Sequence, residues 1–185
     1  MIANLAPAAG TLRLVPALSR PDLLAEPVIA ALEALPGDGA ASCGVAEIDP
    51  DLADTAAFCE AYSSPLEASA NCVVVAGSRS GEQRFAGCVV LATTRADVNG
   101  VVRKRLDVRK ASFAPMDTAV ELTGMAYGGI TPFGLPAAWP LLVDAAVVAT
   151  PAVVVGSGLR GSKLVVPGAV LGRLSGAESL EGLAR

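Results

Sequence analysis

Gly128-Gly129-Ile130-Thr131-Pro132-Phe133-Gly134 is the stretch on which the interpretation of this sequence depends. Its three glycines and one proline exclude a regular helix and make a poor central strand. Pro132 fixes its own φ angle, so the loop is stiff. A stiff glycine loop can direct backbone N–H groups at one phosphate or one developing oxyanion. The alternative is a tight turn between a helix that ends near Gly124 and a strand at Leu141.

A second glycine stretch, Gly156-Ser157-Gly158-Leu159-Arg160-Gly161, follows an apolar strand and matches the G-x-G-x-x-G pattern. In a dinucleotide-binding fold this turn must open a helix. Here a strand-like segment ending at Pro167 follows, and only 24 residues remain after Gly161. The pattern therefore predicts a strand–loop–strand corner, whose amides could bind a phosphate or a carbonyl together with Arg160 and Lys163.

The chain contains no histidine, which excludes Ser-His-Asp and Cys-His triads and any His-ligated metal site. Its net charge of −4 is unevenly distributed. Residues 1–78 hold two basic and ten acidic residues, whereas residues 79–185 hold twelve basic and eight acidic ones. The second half could face a phosphate ligand, but this is not the strong basic character of a protein that tracks long nucleic acid. This charge balance is compatible with contact to a short RNA end.

The four cysteines lack a C-x-x-C pair, so a zinc site and a disulfide framework are both disfavoured. Cysteines of this kind are usually small buried apolar residues. A redox function of Cys72 or Cys88 is the weakest of the functions considered, because neither has a partner nearby in the sequence.

With 185 residues the chain is long enough for one domain with a sizeable core. Strands and helices mix without strict alternation, and the clearest element is a hairpin of residues 71–76 and 85–93. We expect an α+β single domain with a mixed, twisted β-sheet and flanking helices. Residues 1–20 are predicted to be an irregular lead-in and 176–185 a frayed tail, around a domain at 21–175.

No secretory signal is predicted, because no basic residue precedes Arg13. The most apolar region, residues 141–158, is interrupted by Asp144 and Pro151 and is a poor membrane span. We therefore expect a cytoplasmic protein without membrane contact. Asp144 itself is either a ligand contact or, more commonly for such an Asp, a turn cap. The same ambiguity holds for Asn71, which is a ligand contact or a turn residue.

Three stretches in this order resemble the YbaK/ProX family of aminoacyl-tRNA editing (deacylase) domains. They are residues 64–74 (SPLEASANCVV), residues 122–124 with the glycine loop 128–134, and residues 155–161 (VGSGLRG). The glycine loop is the most specific of the three. The resemblance covers roughly residues 25–175, implies a YbaK-like fold shared with domains associated with prolyl-tRNA synthetase, and favours the ligand-binding interpretation of the loop.

The resemblance implies hydrolysis of the ester between a wrongly attached amino acid and the 3′-terminal adenosine of tRNA, without metal or cofactor. The resemblance also implies that backbone groups and the substrate's own ribose hydroxyl, and no protein general base, position the water. Gly128, Gly129 and Gly134 would shape the oxyanion loop and Pro132 would hold it rigid. The opposite wall would consist of residues 156–161, including Gly156, Ser157, Gly158, Arg160 and Gly161. The implied partner is the tRNA acceptor end; a synthetase partner and the oligomeric state stay open.

One departure from the family matters, because Asn71 stands where the family usually has a lysine important for activity. A second difference is Lys163, where the branch of the family linked to cysteinyl-tRNA has an Asp. One hypothesis is that the cationic role has moved across the pocket to Lys163, with Asn71 as a neutral hydrogen-bond donor. The competing hypothesis is a module that binds aminoacyl-tRNA ends or a nucleotide-like ligand and has lost turnover.

Overall fold

The computed structural model describes residues 2–185, in which two β-sheets are surrounded by short helices. The strands are β1 (Val15–Pro16), β2 (Gly44–Glu47), β3 (Ala70–Arg79), β4 (Glu82–Leu91), β5 (Ala111–Phe113), β6 (Leu141–Asp144), β7 (Val153–Gly156), β8 (Ser162–Val166) and β9 (Ala177–Leu180). The α-helices are α1 (Ala6–Ala9), α2 (Glu26–Glu33), α3 (Thr55–Tyr62), α4 (Arg103–Leu106), α5 (Met116–Thr123), α6 (Ala145–Ala149) and α7 (Gly168–Leu171).

The larger sheet has the strand order β5-β3-β4-β6-β9. Its centre is the β3–β4 hairpin, paired in register from Ala70 opposite Leu91 to Arg79 opposite Glu82. Ser80 and Gly81 form the turn, with φ angles of 53° and 85°. Two positive φ angles give the turn a twist that matches that of the flanking strands. The predicted hairpin is therefore present, with longer strands and a tighter turn than expected.

The smaller sheet has the order β1-β2-β8-β7 and is antiparallel throughout. The two sheets meet where Ser69, just before β3, forms a parallel bridge with Val154 of β7. The larger sheet is mixed, because β4, β6 and β9 run parallel to one another. The α+β class and the flanking helices are confirmed, and the expected mixed sheet is accompanied by a second, smaller one.

The main hydrophobic core lies among both sheets and helix α2. Its side chains are mostly Val, Leu and Ala, as the low aromatic content requires. Two residues near the glycine loop, Met125 and Phe133, are fully buried in this core. They anchor both ends of the loop, so its backbone is held in place by packing as well as by its glycines and proline.

Both ends of the described chain pack against the domain. Leu5 and Ala8 are buried against the outer face of the smaller sheet. At the other end the predicted frayed tail is wrong, since β9 pairs in parallel with β6. Arg185 and Arg95 also exchange backbone hydrogen bonds of 3.0 and 2.9 Å. The short β9 has little periodicity of its own, and pairing with β6 orders it. The domain boundaries at 21 and 175 stay a prediction.

Asp144 illustrates how the fold uses a residue that the sequence offered as a substrate contact. Its side chain is buried and caps α6 by accepting a 2.9 Å hydrogen bond from the Ala146 N–H. The other carboxylate oxygen accepts a 3.0 Å hydrogen bond from the Ala184 N–H. Both oxygens are used within the fold, so the structure explains Asp144 as a cap that also holds the C-terminal segment.

We expect Asp144→Ala to lower the free energy of unfolding by about 2 kcal/mol, because two N–H groups lose their acceptor in partly buried hydrogen bonds. Asp144→Asn should cost less, since Asn is an equally good N-cap. Urea unfolding measures both changes. Asp117→Ala, at an exposed position in the first turn of α5, is the control and should stay within about 0.5 kcal/mol of wild type. A wild-type unfolding curve for Asp144→Ala would contradict this role.

Candidate functional site

A cavity of about 420 Å³ lies at the junction of the two sheets. Segments far apart in the sequence meet there: the start of α3, the start of β3, the glycine loop, and the corner between β7 and β8. The lining residues are Ala53, Asp54, Thr55, Phe58, Ser69, Ala70, Asn71, Cys72, Val73, Tyr127, Gly128, Ile130, Val154, Val155, Gly156, Arg160 and Lys163.

Five of the predicted site residues line this cavity. Four of them lie in the three stretches of the resemblance, and the fifth lies on β8, the strand that follows the third stretch. The five are Asn71, Gly128, Gly156, Arg160 and Lys163. The other predicted residues lie outside its lining: Gly129, Pro132, Gly134, Asp144, Ser157, Gly158 and Gly161.

Gly129 and Gly158 hold the two glycine stretches together. The Gly129 N–H donates to Ala126 O (2.9 Å), and Gly129 O accepts from the Gly158 N–H (2.7 Å). The backbones approach so closely that a Cβ on Gly156 would overlap Gly129 O, and one on Gly129 would lie 2.6 Å from Leu159 O. The Gly129 amide is therefore occupied, and this glycine supports the cavity wall instead of lining it.

The remaining predicted residues shape the same wall from behind. Gly134 has a φ of 76° and packs so closely on Pro27 that a Cβ would overlap the Pro27 carbonyl. Pro132 is buried. The Ser157 hydroxyl is also buried, 2.7 Å from the Ser162 hydroxyl, and bonds the backbone of its own corner. The structure thus explains these residues by loop geometry.

One backbone amide on the cavity wall has no partner. The N–H group of Gly128 makes no hydrogen bond to any group in residues 2–185, whereas the Ile130 N–H closes the turn at residues 127–129. Amides of this kind, held by a rigid loop, are suited to bind a developing negative charge. The sequence indicated Gly128 for this role, whereas Ile130, which also lines the cavity, was not indicated.

Lys163 places a cation against the inner wall of the cavity. Its side chain lies on β8, is buried, and donates a 2.9 Å hydrogen bond to Ala53 O. The ammonium also lies 5.4 Å from the centre of the Phe58 ring. Burial is the main cause that lowers the pKa of Lys163 below its usual value; Cys59 and Asp54 oppose this effect and Arg160 adds to it. One N–H is used by the carbonyl, so two remain for a ligand.

Asn71 is oriented by a residue to which the sequence analysis gave no role. The Thr55 hydroxyl donates a 2.9 Å hydrogen bond to Asn71 Oδ1. With its oxygen occupied, Asn71 has its amide N–H groups left to donate. Thr55 begins α3, capped by Asp54, whose carboxylate accepts from the Ala56 N–H (3.0 Å). An Asp followed by Thr is typical of a helix start, but the position of this one beside β3 depends on the tertiary fold.

The two cysteines considered for a redox function, Cys72 and Cys88, do not have the character of nucleophilic groups. All four are free, and burial raises the pKa of the Cys88 thiol to about 12. Burial also raises the pKa of Cys72, which lines the cavity. Protonated thiols are poor nucleophiles, so these surroundings argue against the redox alternative.

An aromatic side chain and a guanidinium lie together on the cavity lining. Tyr127 is 61% exposed, and Arg160 Cζ is 6.0 Å from the centre of its ring. Gly128 allows this arrangement, because a Cβ there would lie 2.9 Å from Arg160 Nη1. Tyr127 was not singled out in the sequence, where it is one tyrosine before a glycine loop.

Within residues 2–185 no three His, Cys, Asp or Glu side chains lie close enough together to hold a metal ion. No helix in that range combines the length and apolar character that a membrane span requires.

The contact between the two glycine stretches gives a direct prediction. Gly156→Ala should lower the free energy of unfolding by more than about 2 kcal/mol, because the new Cβ meets the Gly129 carbonyl, which is backbone and cannot rotate away. Gly161→Ala, in the same corner, is the matched control, since its nearest atoms would be 3.7 Å away. Urea unfolding compares the two variants, and equal costs would contradict the close-contact account.

Several solved structures share this fold. A candidate trans-editing enzyme for prolyl tRNA synthetase is 21% identical, with a TM-score of 0.69 over 91% of this chain and 98% of the other. A scaffold protein used for computational epitope backbone grafting is 21% identical, with a TM-score of 0.68 over 85% and 95% of the two chains. The hypothetical protein APE2540 is 19% identical, with a TM-score of 0.66 over 76% and 90%. At these identities the likeness concerns the fold alone.

The sequence match is more specific than the structural likeness. The model of the aminoacyl-tRNA editing domain matches residues 49–174, about two thirds of the chain. This range contains every residue that lines the cavity. The chain belongs to the aminoacyl-tRNA editing domain family.

Proposed function

We propose that this protein is a free-standing deacylase that hydrolyses the ester of mischarged tRNA in the cavity between its two sheets. The observation that carries the proposal is the arrangement of hydrogen-bond donors in the cavity. The open amide of Gly128 shares a cavity with the ammonium of Lys163 and the amide of Asn71. An aminoacyl ester offers groups that match this set: a carbonyl oxygen that gains negative charge, and a nearby phosphate.

The proposed reaction does not require a protein side chain as general base. Water adds to the ester carbonyl carbon, the carbonyl oxygen becomes an oxyanion, and the carbon–oxygen bond to the ribose then breaks. The ribose oxygen leaves with a proton, and the amino acid is released as its carboxylate. Each well-placed donor to the oxyanion contributes about 10²–10³ in rate. Because the ester is already labile, donors and positioning can suffice without a histidine.

Lys163 is the residue we assign to the cationic role that the family usually gives to a lysine at position 71. It reaches the cavity from β8, whereas Asn71 lies on β3. Two of its N–H donors remain for a carbonyl or phosphate oxygen, and Asn71 adds a neutral donor. Thr55 acts as a positioning residue, because it occupies the Asn71 oxygen.

A second candidate function is binding of aminoacyl-tRNA ends without turnover. Asn71 favours it, because the family lysine is missing there and the Lys163 ammonium is partly engaged by Ala53 O. In both cases the ligand is an aminoacyl-tRNA end, and the two functions differ only in release of the amino acid.

Release of amino acid from a panel of mischarged tRNAs tests the proposal. The panel should include mischarged proline tRNA, since one structural relative is a candidate trans-editing enzyme for prolyl tRNA synthetase. We expect release from at least one member, and a loss of at least about 100-fold in rate for Lys163→Met. The variant should be no less stable than wild type in thermal unfolding, because Met fills a similar volume without a buried charge.

Arg173→Met is the control, since it removes an exposed cation outside the cavity and should leave the rate unchanged. Binding of the panel without release would support the second function. Wild-type turnover by Lys163→Met would refute the transferred cationic role.

A basic segment supports tRNA as the partner. Residues 79–110 hold eight basic and three acidic residues, whereas the rest of the chain holds six and fifteen. Arg79, Arg103, Arg109 and Lys110 line a groove of about 700 Å³, whose one acid, Asp107, already pairs with Arg79. Along β3 this groove lies about 26 Å from Asn71, eight residues at about 3.3 Å each. The unpaired 3′ end of a tRNA could span that distance, so the groove would lie near the acceptor stem of a bound tRNA.

Replacing Arg109 and Lys110 together by Gln should weaken tRNA binding and reduce its dependence on salt. Neither residue forms an ion pair within residues 2–185, so both are available to phosphates. For each phosphate that the variant no longer neutralises, the slope of log K against log salt should fall by about 0.7–0.9. Filter binding at several salt concentrations measures this slope, and an unchanged slope would remove the groove from the interface. A cytoplasmic location, and a synthetase as partner, would follow from the substrate.

A further inference from the structure

Tyr127 and Arg160 form a pair whose role the deacylase proposal does not explain. Both line the cavity, yet Tyr127 is 61% exposed, and neither forms a hydrogen bond or an ion pair through its side chain within residues 2–185. The cation–π contact that they make is weak at an exposed site. Stability of the fold therefore does not account for the placement of the Arg160 guanidinium over the Tyr127 ring.

The spacing of the pair suits a flat ring. An aromatic ring packs on another group at about 3.5 Å, so a base between Tyr127 and Arg160 needs about 7 Å between them. The present separation is 6.0 Å. Arg160 is exposed and held by no other partner in the described chain, so a shift of about 1 Å costs little. Arginine and tyrosine both stack on nucleobases.

The position of the pair relative to the open Gly128 amide gives the orientation of a bound nucleotide. Tyr127 directly precedes Gly128 in the chain. A base beside Tyr127 would thus place the ribose and its ester toward Gly128, Lys163 and Asn71. We infer that Tyr127 and Arg160 form a slot that stacks the purine base of the terminal nucleotide. This inference rests on the proposed substrate, an aminoacyl-tRNA end.

A pair of non-hydrolysable probes tests the slot. One is an aminoacyl adenosine with an amide in place of the ester, and the other is the same aminoacyl amide on a ribose without a base. By calorimetry, wild-type protein should bind the adenosine probe more tightly. Tyr127→Ala should weaken that binding by about 5- to 100-fold and leave the base-free probe unchanged. Tyr127→Trp should retain it, because stacking needs only an aromatic face.

Phe113→Ala is the matched control, since Phe113 is an equally exposed aromatic, at 62%, on the edge strand β5 and outside the cavity lining. Equal affinity of wild type for the two probes, or a base preference that survives in Tyr127→Ala, would overturn the slot. The deacylation assay separates this outcome from failure of the proposed function. If Tyr127→Ala loses the base preference while the wild-type protein releases no amino acid, the slot is supported and the deacylase proposal is overturned.

Discussion

The close contact of two main-chain segments is the constraint on which this site depends. Gly129 and Gly158 are joined by a 2.7 Å hydrogen bond, with no room for a side chain on Gly129 or Gly156. This contact fixes the glycine loop against the corner between β7 and β8. It holds the Gly128 amide at the cavity wall, so the loop does not have to be ordered when a ligand binds.

The buried charge of Lys163 in the cavity lowers the stability of the fold. A buried ammonium is disfavoured, and one carbonyl bond compensates Lys163 only in part. The molecule retains this cation at the inner wall while the aromatic–guanidinium pair, Tyr127 and Arg160, lies exposed. This cavity has a desolvated charge at its inner wall and an exposed, adaptable pair outside. The arrangement suits a ligand that inserts its reactive end first.

Several elements could be predicted because their signals are local. The β3–β4 hairpin, the helix capped by Asp54 and the rigid loop around Pro132 follow from strand propensity, capping and backbone restriction, which act over a few residues. The tail was predicted wrongly for the complementary reason. β9 is ordered by pairing with β6, and no property of residues 177–180 alone indicates a parallel partner.

The candidate site divides in the same way. By itself the sequence determined that no histidine can act, that two glycine stretches form rigid turns, and that the chain resembles editing domains, because these follow from residue types and their order. Only the tertiary structure decided which groups meet. Gly129 and Ser157 stabilise the two loops, and Asp144 caps a helix. Thr55 and Ile130, which the sequence did not indicate, line the cavity. The physical reason is that the identity of a side chain limits the hydrogen bonds it can form, whereas packing decides which partner it reaches and which donors stay unpaired.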